Sequence, residues 1–330
     1  MTSDIATLSD RRIFFLGVNT GFVIEGCPDH RYLDFYARRS SPDLYCAIVG
    51  NVVVPGGHGS NAVAPTLTTD PIWSDLAAVI RSRGSLPGIQ LATAWEGYRG
   101  VQKFVGARPI EVISQARDLT AAMGTARVTT VLERFEDAAA MAVAHGFGHV
   151  QIHAAHGYLL SLLIDERLHP DAARVRDKLS TLSKRLRASN VETSIRISLR
   201  TGEKTLDSGG AAAFQDAVAR LPFDYVDLSS GFYNIDKRLI YPTRPDVLEA
   251  RLADSIAVGA RHPSRAFILS GHTLRHDWTH RAHNLHLGLC RDLIANPDVL
   301  KDQQNGCMNL NKCHYFSRGE PHLTCGRWSD

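Results

Sequence analysis

Short apolar runs alternate along the chain with longer stretches in which apolar residues recur every three or four positions. The short runs are rich in β-branched and aromatic residues and have strand length, whereas the longer stretches have the spacing of amphipathic helices. The short runs predict eight strands, at residues 12–16, 45–49, 88–91, 149–152, 194–197, 225–228, 266–269 and 285–289. Because parallel strands need crossover helices, this alternation predicts an α/β fold, a single (β/α)8 TIM barrel.

The clearest helical pattern runs from Val131 to His145, and Gly146 follows it as a natural C-terminal cap. Another helix is predicted after Ser208-Gly209-Gly210. No low-complexity linker divides the 330 residues, so residues 1–300 are predicted to form the barrel. Residues 301–330 hold three of the six cysteines and are predicted to be a tail that packs on the barrel or extends from it.

Composition narrows the classes of partner. The net charge is +3 with acidic and basic residues mixed, so there is no basic stripe of the kind that follows a phosphate backbone. The first ten residues have neither a basic start nor an apolar core, and no apolar run reaches membrane-spanning length. We expect a cytoplasmic protein that acts on a small molecule and binds neither nucleic acid nor membrane, with homo-oligomerisation left open.

Active sites of such barrels lie at the carboxyl ends of the strands. The run from Ile152 to Leu160 places two imidazoles and a phenol where the fourth predicted strand ends, which predicts a polar pocket. Further polar or glycine residues follow the other strands. The candidate site residues are His153, His156 and Tyr158, together with Asn19, Asn51, Gln90, Arg196, Ser230, Gly271 and Arg291.

His-Ala-Ala-His-Gly-Tyr-Leu at 153–159 resembles the most specific motif of the old yellow enzyme family, the NADH:flavin oxidoreductases that act as ene-reductases with flavin mononucleotide (FMN). Weaker similarities occur in the same order over almost the whole chain. They include Gly50-Asn51-Val52, Gln90-Leu91, Ile195-Arg196-Ile197, Ser229-Ser230-Gly231 and the stretch from Arg291 to Pro297. The family fold is a (β/α)8 barrel, in agreement with the strand pattern.

The resemblance implies a role for each candidate. Tyr158 would donate a proton to the α-carbon of an activated alkene, an α,β-unsaturated carbonyl compound, whose carbonyl oxygen His153 and His156 would bind. FMN, reduced by NADH or NADPH, would supply the hydride. The cofactor-binding residues would be Asn51 and Gln90 at the pyrimidine edge, Arg196 beside N1 and O2, Gly271 and Arg291 at the phosphate, and Asn19 and Ser230 nearby.

The chain departs from the family pattern near the substrate. Thr93, Trp95 and Glu96 stand where the family usually has His, Gly and Arg, and the loop after Leu160 is atypical. The flavin edge beside this motif is therefore expected to be lined differently. The same site could also catalyse desaturation, demethylation or redox-neutral isomerisation. A further alternative is a flavin-binding protein that has lost turnover, or a partner subunit.

A second class of function is a metal-dependent barrel hydrolase, with His153, His156 and either His272 or His286 as ligands. The tail also resembles relatives that bind a four-iron cluster through Cys-x2-Cys-x3-Cys-x11-Cys. Cys313 and Cys325 keep the last spacing, but the upstream positions are Gly306 and Asn309, which indicates a degenerate remnant. Zinc binding by the tail cysteines and histidines remains an alternative, and no metal ligand is assigned to the site itself.

Overall fold

The computed structural model describes residues 10–98 and 108–328. Eight parallel strands form a closed barrel in which each strand pairs with its neighbours in chain order and the last pairs with the first. The strands are β1 (Ile13–Phe15), β2 (Cys46–Val53), β3 (Leu86–Ala92), β4 (His149–Ala154), β5 (Glu192–Ser198), β6 (Tyr225–Ser229), β7 (Ala266–Leu269) and β8 (Leu285–Leu289). The predicted TIM barrel is confirmed, and each predicted strand overlaps an observed one.

The helices that connect the strands surround the barrel. They are α1 (His30–Arg39), α2 (Ile72–Ser82), α3 (Pro109–Ala144), α4 (Leu159–Leu163), α5 (Ala172–Ala188), α6 (Lys204–Ser208), α7 (Ala211–Ala219), α8 (Pro245–Arg261) and α9 (Arg291–Ala295). The predicted helix at 131–145 is the second part of α3, and Gly146 follows it with a φ of 91°. The first part ends at Gly124, whose φ of 62° and ψ of 167° break the helical geometry.

Two cores stabilise the barrel because each strand has two buried faces. The larger core lies between the strands and the helices and includes Tyr36, Trp73 and Phe135, all fully buried. The smaller core fills the interior near the amino-terminal ends of the strands, where the ring of Phe14 packs edge-on against Tyr45 and Tyr225. The polar side chains of the candidate site lie beyond this filled layer, at the carboxyl ends of the strands.

The last segment of the chain contacts the loop that follows β1. The backbone N–H of Leu323 donates to the carbonyl of Thr20 at 2.7 Å, and the hydroxyl of Tyr315 donates to Oδ1 of Asn19 at 3.0 Å. The Leu323 side chain is fully buried. Residues from this segment therefore lie at the same end of the barrel as the candidate site. Within the described ranges, no helix is long and apolar enough to cross a lipid bilayer.

Candidate active site

A cavity of about 230 Å³ opens at the carboxyl ends of the strands. Strand ends, the loop after β4, helix α8 and residues 313–317 of the tail all contribute to its wall. Of the residues that the sequence predicted, those in its lining are Asn19, Asn51, Gln90, His153, His156, Tyr158, Arg196, Gly271 and Arg291. Ser230 is buried but does not line the cavity.

Tyr158 stands at the beginning of α4 with extended backbone geometry, so its side chain leaves the helix axis and enters the cavity. Its hydroxyl oxygen accepts a hydrogen bond from Nδ2 of Asn51 at 2.9 Å. Burial raises the pKa of the phenol to about 12, against the opposing effect of hydrogen bonds with Ser60 and Asn51. The phenol is therefore protonated throughout the neutral range and can act as a proton donor.

His153 and His156 lie beside this phenol. The ring centroids of His153 and Tyr158 are 4.5 Å apart, and those of the two histidines are 5.2 Å apart. Burial, followed by the charge of Arg196, lowers the pKa of His153 well below 6.5. Burial also lowers the pKa of His156, with further lowering from His153, Arg196 and Arg251. Both imidazoles are therefore neutral at pH 7, and each can donate one N–H.

The backbone of His156 is held in an unusual conformation by its neighbours. Its φ of 65° lies in the left-handed region, and its backbone N–H donates to Oγ of Ser198 at 2.9 Å. Nε2 of the ring lies 2.7 Å from Oγ of Ser229. Nδ1 of His153, in contrast, is buried without a hydrogen-bond partner among the described residues. A ligand in the cavity would satisfy this nitrogen.

The altered motif after β3 supports the loop that carries the histidines and the tyrosine. The indole N–H of Trp95 donates to the carbonyl of Gly157 at 3.2 Å, and the hydroxyl of Tyr98 donates to the carbonyl of His156 at 2.9 Å. The carbonyl of Thr93 accepts from the backbone N–H of Leu159 at 3.1 Å. Thr93 and Trp95 are absent from the cavity lining, so these two residues support the loop from outside the cavity, whereas Glu96 is exposed.

A chain of polar contacts crosses the barrel beneath the cavity. Nη1 of Arg196 donates to Oδ2 of the fully buried Asp227 at 2.5 Å. Nε2 of Gln151 donates to the same carboxylate oxygen at 3.1 Å, and its amide oxygen accepts from Gln90 at 2.5 Å. These residues come from β3, β4, β5 and β6, at positions that point into the barrel. The charge of Arg196 is therefore largely compensated from below.

Arg251, which the sequence prediction missed, also lines the cavity. Its Nη2 donates to Oγ of Ser229 at 2.9 Å and to Oγ of Ser270 at 2.6 Å. Ser229 thereby connects Arg251 with His156 and Arg196. The sequence had predicted the adjacent Ser230 for the site instead. Helix α8 is remote in sequence from any strand end, so only the three-dimensional structure reveals this arginine.

Arg291 stands at the first position of α9, directly after β8. Its Nη1 donates to Oδ1 of Asn309 at 3.1 Å, and its Nη2 donates to the carbonyl of Pro242 at 2.6 Å. Nε2 of His272 lies 2.9 Å from the same Asn309 oxygen. Asn309 lies at the second ligand position of the four-cysteine pattern. In the structure it connects the tail to His272, which follows β7, and to Arg291, which follows β8.

In the described ranges, no three side chains of the His, Cys, Asp and Glu types converge on a point where a metal ion could bind. Burial raises the pKa of Cys290 to about 11 and that of Cys313 to about 12. These thiols at the cavity wall are therefore protonated at neutral pH. No observation in the described residues supports the metal-dependent hydrolase or a zinc site in the tail.

Comparison with known proteins yields no matching family model. The chain is similar to an NADH-dependent flavin oxidoreductase of Hypocrea jecorina (strain QM6a), with 29% identity over 165 residues. The similarity covers 42% of this chain and 41% of that protein, so the chain spans less than half the length of the curated relative it matches.

Proposed function

We propose that the protein is an FMN-dependent oxidoreductase of old yellow enzyme type, which takes hydride from NADH or NADPH and delivers it to an activated alkene. The observation that carries this proposal is the convergence of a protonated phenol and two neutral imidazoles on one cavity at the carboxyl ends of the barrel strands. The partial similarity to an NADH-dependent flavin oxidoreductase supports the same class of reaction.

The cavity residues fit a flavin in chemical type. Four buried nitrogens at the wall have no hydrogen-bond partner in the described part of the chain, namely Nδ2 of Asn19, Nδ1 of His153, Nε of Arg251 and Nε2 of His314. A flavin presents ring carbonyls, ring nitrogens, ribityl hydroxyls and a phosphate, all of which accept hydrogen bonds. Asn51, Gln90 and Arg196 would hold the ring, and Gly271 and Arg291 would hold the phosphate.

When bound, FMN would supply the hydride for the β-carbon of the alkene. His153 and His156, as neutral donors, stabilise the negative charge that grows on the carbonyl oxygen of the substrate. Tyr158 then gives its proton to the α-carbon, which completes the addition of two hydrogens across the double bond. Because burial raises the pKa of Tyr158, the phenol is in the protonated form that this step requires at neutral pH.

The proposal predicts that the purified protein binds FMN. We expect it to be yellow as isolated or after incubation with FMN, with the absorption spectrum of a protein-bound flavin, and to be bleached by NADH or NADPH without oxygen. Anaerobic addition of an enone should restore the spectrum. A folded protein that is colourless and takes up no flavin would refute the proposal.

A further inference from the structure

We propose that Arg251 is a second phosphate-binding residue, which contacts the phosphate of FMN through its Nε–H and thereby selects the phosphorylated flavin over riboflavin. This inference rests on the proposed function, since it concerns how the same cavity holds one end of the cofactor. It adds a residue from helix α8 to the strand-end residues Gly271 and Arg291.

The hydrogen bonds of Arg251 leave one donor for a ligand. Its two Nη2 hydrogens go to the hydroxyls of Ser229 and Ser270 at 2.9 and 2.6 Å. Nη1 donates to the carbonyls of Leu239 and Ile240 at 3.2 and 3.3 Å. Nε is buried and has no partner within the described ranges. An arginine has five N–H donors, so the guanidinium is fixed by four of them while the fifth remains available.

The available donor lies beside the predicted phosphate loop. A Cβ built on Gly271 would lie 3.4 Å from Cδ and 3.7 Å from Nε of Arg251, and Gly271 has a φ of 110°. These separations are ordinary van der Waals contacts, and the φ is one that residues other than glycine rarely adopt. Nε of Arg251 and the backbone of Gly271 therefore border the same part of the cavity.

The positive charges in this part of the cavity favour the binding of an anion. Neither Arg251 nor Arg291 has a carboxylate within salt-bridge distance among residues 10–98 and 108–328, whereas Arg196 is paired with Asp227. Burial and the neighbouring charges of Arg196 and Arg291 lower the pKa of Arg251 to about 9, against the opposing effect of the Asp227 carboxylate, so it is still protonated at neutral pH. A phosphate monoester carries about two negative charges, which suits two guanidinium groups that have no directly paired carboxylate among the described residues.

Arg39 shows what a buried arginine with a purely structural role looks like in this protein. It is 5% exposed, as Arg251 is, but its Nε donates to the carbonyl of Leu293 at 2.8 Å. Its two other nitrogens also donate to backbone carbonyls, and its guanidinium stacks on the ring of Phe35. Arg39 is absent from the cavity lining, so it provides a matched control.

The test compares the affinities of flavin-free protein for FMN and riboflavin, measured by flavin fluorescence, in the wild type, R251M and R39M. We expect R251M to weaken FMN binding about 10- to 100-fold, because a charge-assisted hydrogen bond to the phosphate is lost. Riboflavin binding should change by less than about threefold, since riboflavin lacks the phosphate. R39M should leave the ratio of the two affinities unchanged even where it lowers the melting temperature.

The outcomes separate the two proposals. Wild-type protein that binds neither flavin would refute the proposed function. Wild-type protein that prefers FMN, with the same preference in R251M, would overturn the role of Arg251 alone. If R251M does not fold, the FMN and riboflavin affinities of R251K test the role of Arg251 instead. Lysine keeps the charge but has three donors on a single nitrogen, too few to replace the four hydrogen bonds of Arg251 and also bind the phosphate. The preference for FMN should therefore still fall several-fold, and an unchanged preference would overturn the role.

Discussion

At the scale of single residues, the surroundings of Tyr158 determine what its phenol can do. Asn51 donates to the hydroxyl oxygen at 2.9 Å, and Ser60 also forms a hydrogen bond with the phenol. The pKa of about 12 keeps the hydroxyl hydrogen in place, and the neighbouring histidines remain uncharged. The three side chains therefore form a set of neutral donors, a suitable arrangement for a substrate that gains negative charge during the reaction.

Replacing Tyr158 with Phe tests the proton-donor role. We expect Y158F to slow reoxidation of the reduced enzyme by an enone about 10²- to 10⁴-fold, the range for loss of a general acid, while flavin reduction by NADH or NADPH stays nearly unchanged. Rapid-mixing absorbance measurements of the two half-reactions distinguish these effects. Y36F is the matched control, because Tyr36 is a fully buried phenol outside the cavity that donates to the carbonyl of Ile48. Equal losses in both half-reactions of Y158F would contradict the role.

The sequence predicted residues of the site that adjoin strands, but not those that come from helices and from the tail, such as Arg251 and Tyr315. His153, His156 and Tyr158 share a short motif, and strand order alone brought them to one end of the barrel. Arg251 lies in a helix whose pattern is amphipathic, and an arginine there is indistinguishable from a surface residue until α8 is packed. The sequence also could not decide between Ser229 and Ser230. Successive side chains of a strand point to opposite faces, so which serine faces the cavity depends on where the strand ends.

At the scale of elements, the strands were predictable because each is a short apolar run that the barrel buries on both faces. The observed β2 extends to Val53, beyond the predicted end at residue 49, and so contains Asn51. The register shifts between Val49 and Val52, an irregularity that no apolar pattern encodes. The beginning of α3 at Pro109 was also missed, because its first part has a weak apolar repeat around an exposed stretch.

Gly124 interrupts α3 with a backbone conformation that other residues rarely adopt. A Cβ at this position would meet nothing within 4 Å, so the cost of G124A is one of backbone conformation alone. We expect G124A to lower the free energy of unfolding by about 1–3 kcal/mol, as measured by urea denaturation. A122S, at an exposed and regular position of the same helix, should change it by less than about 0.5 kcal/mol. A G124A variant as stable as the wild type would show that the helix tolerates another geometry here.

At the scale of the whole molecule, the tail forms part of the cavity wall. Cys313, His314, Tyr315, Phe316 and Ser317 line the cavity, and the ring of His314 lies 3.8 Å from that of Tyr241. Sequence reasoning interpreted this segment through its cysteines, as a remnant of a cluster-binding region. The structure adds contacts that no ligand spacing encodes, such as Asn309 between His272 and Arg291.

Leu323 anchors the tail and offers a test of its contribution. L323A removes a fully buried side chain, so we expect the packing of residues 301–328 to lose about 2–5 kcal/mol. Hydrogen exchange of backbone amides should accelerate in this segment, and FMN should dissociate faster, because the cavity wall opens more often. L310A, at a tail position that is 52% exposed, should leave both rates close to those of the wild type. Unchanged exchange in L323A would show that other contacts hold the tail.

The pairing of β1 with both β2 and β8 has a consequence for the order of folding during synthesis. A ribosome delivers β1 first, but its partner Leu287 follows more than 270 residues later, so one edge of β1 must wait while the rest of the barrel is made. The hydrogen bond between the carbonyl of Thr20 and the N–H of Leu323 joins residues that are still farther apart in the sequence, so it forms later in synthesis. Nascent chains that stop before this segment can form strands and helices, but they lack the part of the cavity wall that residues 313–317 supply, so the pocket is completed late in synthesis.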